Sequence, residues 1–84
     1  MSILTSEIAD QLIEEQGLDI VIPDQFTSIE DNAFSNSKIK SALIPNSITK
    51  IGEFAFSGNN LTSINIPDSV IEIGQGAFLS LIHI

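Results

Sequence analysis

The sequence predicts an α/β repeat fold, in which short parallel strands and single helical turns wind into a solenoid with a 22-residue period, entered through a capping helix. Three observations predict it. Ile22 to Phe34 (IPDQFTSIEDNAF), Ile44 to Phe56 (IPNSITKIGEFAF) and Ile66 to Phe78 (IPDSVIEIGQGAF) are near-copies laid end to end. Pro23, Pro45 and Pro67 recur at one constant interval, and Phe34, Phe56 and Phe78 recur at the same one. Ahead of the first copy, residues 1–17 carry helical spacing instead of the repeat. Self-similarity at a fixed period marks stacked units, none of which buries its apolar face alone.

The helix is expected over Glu7 to Gln16. Thr5 or Ser6 can cap it, Glu7 and Asp10 suit the positive end of its dipole, and Gly17 offers a stop. Ile8, Ala9, Leu12 and Ile13 form one apolar stripe, with Asp10, Glu14 and Glu15 elsewhere. A helix this short needs something to pack on, and a stack of repeats has an open apolar end that needs cover. Capping the stack meets both needs. The alternative, an amphipathic helix on a membrane, is opposed by the acidic polar face. The organisation expected is residues 1–17 as cap and residues 18–84 as coils starting near 22, 44 and 66, the last incomplete.

After Gly17, LDIVIP alternates like a strand, with Ile20 and Ile22 on one side and Val21 on the other. Ile29, Ala33 and Phe34 then fit one face of a helical turn, so a single turn or 3₁₀ segment is expected there. Strand signals return at Ile39, Ala42 and Ile44, and again at Leu61, Ile64 and Ile66, where Asn59-Asn60 reads as a preceding turn. A proline ends each strand because it cannot donate to a ladder. Stacked coils then align four columns: Ile22/Ile44/Ile66, Ile29/Ile51/Ile73, Phe34/Phe56/Phe78 and Phe26/Ile48/Val70.

The recurring IPxS(V/I)xxIGxxAF, joined by LTSINIP, resembles the BspA-type leucine-rich repeat family over Leu18 to Phe78. The resemblance implies a horseshoe with strands on one side and short helical turns on the other, and a family whose larger members are often surface proteins that bind partner proteins. Three features depart from the pattern. The copies number only three, Glu30 stands where Gly52 and Gly74 recur, and LSLIHI after Phe78 does not resume the strand motif.

Composition narrows the function classes. With 84 residues the chain is one small domain that hydrophobic burial alone must hold, since it has no cysteine for disulfides or thiolate metal sites. Eleven acidic against three basic side chains give a net charge of −8, which argues against nucleic acid and anionic lipid as partners. No apolar run approaches a membrane span and no secretory signal is visible, so a cytoplasmic address is the default expectation.

The apolar ending, Leu79, Leu81, Ile82 and Ile84, falls where a stack should present a polar cap. Three explanations compete: a truncated or decayed copy of a longer array, a tail folded back over the last coil, or an exposed edge strand, Ile64 to Ile66, that pairs with another chain as a weak homo-oligomer.

No catalytic constellation emerges. His83 is the sole histidine and lies near the terminus without a nucleophile-elbow context. Asp24, Asn46 and Asp68 share a column after the prolines; calcium ligation is one reading, and hydrogen bonding to local turn amides is the better one. Lys38, Lys40 and Lys50 read as solvated partners for Glu30 or Glu53, and Gly74-Gln75-Gly76 lacks the lysine and helix of a phosphate loop. No cofactor or metal is expected.

The candidate interaction face is the set of outward strand positions: Asp19 and Val21, Ser41 and Leu43, then Thr62, Ser63 and Asn65. Leu43 beside Val21 makes a small apolar spot in a polar field. Such a face spans well under the ~800 Å² per partner of a standard interface, so binding through it alone should be weak. The sequence thus points to a non-enzymatic protein-interaction module, the alternative being a structural or degenerate repeat fragment with no specific partner.

Overall fold

The computed structural model describes residues 2–61 and 64–79. It is an α/β repeat fold of short parallel strands and one helix. In chain order these are β1 (Ile3–Leu4), α1 (Ser6–Gln16), β2 (Asp19–Val21), β3 (Ser28–Ile29), β4 (Ser41–Leu43), β5 (Lys50–Ile51) and β6 (Glu72–Ile73). Two sheets result, one ordered β1-β3-β5-β6 and the other pairing β2 with β4. The first aligns Leu4, Ile29, Ile51 and Ile73, and the second aligns Ile20 with Ala42. The third strand expected around Ile64 to Ile66 reduces, among the described residues, to a single parallel bridge between Leu43 and Asn65.

α1 begins where a cap permits. The Thr5 hydroxyl accepts the Ile8 amide at 3.3 Å. At the other end Gly17, at φ 79°, takes the left-handed turn that stops the helix. Ala9 and Leu12 are buried in the core and Ile8 and Ile13 pack against it, which is the stripe that the sequence spacing describes.

Nothing in the sequence pattern predicts β1. Two residues carry no periodicity, yet Leu4 is fully buried at the head of the Ile29 column, and the Leu4 carbonyl accepts the Glu30 amide at 2.9 Å. The chain therefore enters the sheet before it enters the helix.

Where a single turn or 3₁₀ segment is expected, the chain makes successive turns closed by i→i−3 hydrogen bonds, which do not continue as a helix. Ala33 N–H donates to Glu30 and Ser35 N–H to Asn32, and one layer on, Ala55 donates to Gly52 and Ser57 to Phe54. Asn32 (φ 63°) and Phe54 (φ 57°) hold equivalent left-handed positions, which break a helix at its first turn. The intervening amides are taken by the next layer: Asn32, Phe34 and Asn36 donate to the carbonyls of Glu53, Ala55 and Ser57. An amide used between layers is not free for an i→i−4 bond, so α1 is the only helix among the described residues.

The core lies between the two sheets and the turns. Phe34 stacks on Phe56 with ring centroids 5.2 Å apart and planes 9° off parallel, and Phe56 stacks on Phe78 at 5.6 Å and 6°. Ile22, Phe26, Ile29 and Phe34 of one layer and Ile44, Ile48, Ile51 and Phe56 of the next are all buried. Their last-layer counterparts are less so. Ile66, Val70 and Phe78 are half-buried, and Ile73 is 48% exposed because no further described layer covers it.

Asn59 is the buried polar residue among these layers, at 4% exposed. Its Oδ1 accepts the amides of Ser37 (2.9 Å) and Ile39 (3.0 Å), and its Nδ2 donates to the carbonyls of Phe34 (2.7 Å) and Phe56 (2.9 Å). These bonds tie two layers together, where the sequence suggests only a turn residue.

The departure at Glu30 has a physical cause. A Cβ on Gly74 would lie 2.5 Å from the Glu53 backbone nitrogen, and one on Gly52 would lie 2.6 Å from that of Asp31, so the layers touch there without room for a side chain. Glu30 faces the start of α1 instead. Its carboxylate accepts the Ser6 amide at 3.0 Å, placing a negative charge at the positive end of the helix.

Candidate functional site

The face that alternation singles out is built by β2 and β4. With Ile20 and Ala42 turned inward and buried, Asp19, Val21, Ser41 and Leu43 all point outward and are exposed. The pairing sets Asp19 against Ser41 and Val21 against Leu43. The Ser41 hydroxyl donates to the Asp19 carboxylate at 2.8 Å, fixing the polar pair. Val21 and Leu43, 53% and 56% exposed, form a contiguous apolar pair beside it. Asn65 is exposed next to Leu43 across the bridge. Thr62 and Ser63, the remaining members of the expected face, lie outside the described residues.

These residues, with Ile20, Ala42 and Ile64, line an open groove of about 290 Å³. Hydrogen bonding at Asp19 and Asn65 together with apolar contact at Val21 and Leu43 suits it to non-covalent recognition. The Ser41–Asp19 pair is the one hydroxyl–carboxylate contact among its described lining residues, and no histidine accompanies it there.

Gln16 contributes a feature that strand spacing does not reveal. Its Nε2 donates to the Val21 carbonyl at 3.0 Å, and its Oε1 accepts the Val21 amide at 2.7 Å. The side-chain amide mimics a neighbouring strand and closes the free edge of β2. The last polar residue of a helix reads as ordinary solvent exposure, so only the fold discloses this role.

The other candidate groups do not converge. Asp24, Asn46 and Asp68 are exposed, and the turns there are closed by backbone, Ile48 N–H donating to Pro45 and Val70 N–H to Pro67. Among the described residues no group of three His, Cys, Asp or Glu side chains is placed to hold a metal ion. His83 lies outside them. Lys50 meets Glu72, its partner in the β5–β6 register, at 3.9 Å, and not Glu30 or Glu53; both side chains are exposed, so the pair contributes little. Among the described residues no helix is long and apolar enough to cross a membrane.

The family model described as the BspA type leucine rich repeat region (6 copies) matches residues 13–84. No curated protein and no solved structure matches the chain. The match begins within α1 and continues through every layer that follows, including the columns and turns described above. The chain therefore belongs to the BspA-type leucine-rich repeat family.

Proposed function

We propose that this chain is a non-catalytic protein-interaction module, a solenoid of 22-residue coils over residues 18–84 capped by the helix of residues 1–17. Membership of a leucine-rich repeat family supports the interaction role. The coil length is supported by the register, in which Asp19 faces Ser41, Ser28 faces Lys50 and Lys50 faces Glu72, each pair one such period apart. The capping role is supported by the burial of Ala9 and Leu12 against the first layer.

The observation that carries the reading is the Val21–Leu43 pair. Two branched apolar side chains stand exposed and adjacent on a rigid parallel ladder, where folding alone is served as well by polar residues. A partner segment that lays an apolar side chain on this pair and a hydrogen-bond donor on Asp19 uses everything the groove offers.

The test compares two immobilised baits, the native chain and a Val21→Lys/Leu43→Lys variant, after equal melting curves establish that both fold. Proteins captured from a lysate of the source cells are identified by mass spectrometry. A protein retained by the native bait and lost from the variant is the expected result. Identical captures on both baits remove the β2–β4 face from consideration and leave the reading of a repeat fragment without a specific partner.

A further inference from the structure

We propose that Asn46 is a site of spontaneous deamidation, at which the Ser47 backbone nitrogen displaces the side-chain amide nitrogen and water completes the conversion to aspartate. The site is independent of the β2–β4 face and of any partner.

Asparagine is a thermolabile residue, and the reaction asks three things of it: a side chain free to rotate, a small residue after it, and a following amide not held in a hydrogen bond. The chain has six asparagines. Asn32, Asn36 and Asn59 fail the last condition. Ala33 N–H donates to the Glu30 carbonyl at 3.1 Å, Ser37 N–H to Asn59 Oδ1 at 2.9 Å and Asn60 N–H to the Ile39 carbonyl at 3.0 Å. Asn60 and Asn65 precede Leu61 and Ile66, whose branched side chains crowd the approach. Asn46 meets all three conditions. It is exposed, a serine follows it, and among the described residues neither its side chain nor the Ser47 amide has a hydrogen-bond partner.

The turn accounts for the free amide. Ile48 N–H donates to the Pro45 carbonyl at 3.2 Å, which leaves Asn46 and Ser47 as the central residues of a β-turn. The bond that closes such a turn does not use the amides of its central residues.

The steps balance with water and hydroxide alone. Hydroxide takes the Ser47 N–H proton, the nitrogen attacks Asn46 Cγ, the Cγ–Nδ2 bond breaks and ammonia leaves. Water then opens the cyclic imide. Opening at Cγ gives aspartate in an unchanged main chain, whereas opening at the backbone carbonyl gives isoaspartate, with the main chain rerouted through the side chain. The first product suits the fold, since Asp24 and Asp68 hold the same place after Pro23 and Pro67 and are exposed. It sets a new carboxylate in the open groove of about 490 Å³ that Asn46 lines with Asn65 and Asp68. The second product lengthens the main chain between Ile44 and Ile48, both buried, and so disturbs the columns on either side of the turn.

Tryptic mapping tests the assignment, because Lys40 and Lys50 bound a peptide, residues 41–50, in which Asn46 is the only asparagine. The folded chain is held at mildly alkaline pH beside a sample in urea, and digests taken over time are read by mass spectrometry. Asn36, which also precedes serine, is the internal control, and fragment ions separate it from Asn32 in residues 1–38. Expected in the folded chain is conversion at Asn46 about tenfold faster than at Asn36, whose following amide must first leave its hydrogen bond. In urea the two rates should converge. Ser47→Gln, which borrows the residue that follows Asp24 in the first turn, should slow Asn46 severalfold in both samples. A folded-state rate at Asn36 that equals or exceeds that at Asn46, an Asn46 that reacts only in urea, or an unchanged rate in Ser47→Gln would each overturn the proposal.

Discussion

The first and the last described layers of the stack are built in different ways. At the N-terminal end the chain departs from its repeat to finish the surface: a helix packs on the first layer, a glutamine side chain stands in for a missing strand, and a glutamate replaces glycine where a helix start is the neighbour. At the C-terminal end of the described residues the repeat simply runs on, and its column of isoleucines stops with Ile73 half exposed. A stack of repeats is stabilised by nearest-neighbour contacts, so a layer with neighbours on both sides is worth more than one with a single neighbour. Finishing the first layer takes residues that break the repeat.

The comparison is broken most directly at the phenylalanine stack. Phe56 has a ring on either side and is buried, so Phe56→Ala should cost about 3–5 kcal/mol. That approaches the whole stability of a small domain, about 5 kcal/mol, and the variant should show no cooperative thermal transition by circular dichroism at room temperature and above. Phe78→Ala, at a half-buried ring in the last described layer, should lose no more than about 2 kcal/mol and still melt cooperatively. Equal losses at the two positions would show that the layers are not coupled as neighbours.

A middle-sized effect is expected at the staple. Asn59→Ala leaves the amides of Ser37 and Ile39 and the carbonyls of Phe34 and Phe56 without their partner. Urea denaturation should report a loss of about 3 kcal/mol with an unchanged slope. The smallest effect is expected at the finished end, where Thr5→Ala removes the N-cap of α1 for about 1 kcal/mol, again read by urea. A Thr5→Ala loss as large as that of Asn59→Ala would mean that the helix holds the stack together, beyond closing it.

The parts of this architecture that are legible in the sequence are those written as columns. Prolines, phenylalanines and the alternating strand positions locate the layers, the buried set and the outward residues Asp19, Val21, Ser41 and Leu43. The sheet running from β1 to β6 is not legible, because its strands are two residues long and Ile29, Ala33 and Phe34 satisfy helical spacing equally well. Nothing about Phe54 as a residue type announces a left-handed backbone; that follows from its place in a turn whose equivalents are Asn32 and Gly76. Asn59 and Gln16 escape for a shared reason. Amide side chains look the same in sequence whether they meet water or replace a missing stretch of backbone, and only neighbouring layers decide which. At the candidate face the side-chain directions can be read off, but the sealing of its edge cannot.

The stacked rings of Phe34, Phe56 and Phe78 also make the protein report on itself. The chain has no tryptophan and no tyrosine, and these three are the majority of its five phenylalanines. Its near-ultraviolet dichroism therefore arises from phenylalanine alone, with the fine structure of that chromophore unobscured by stronger indole or phenol bands. Rings held this close to parallel contribute fixed chirality that vanishes when their order is lost. The spectrum accordingly separates loss of register between layers from loss of backbone structure, without an added label.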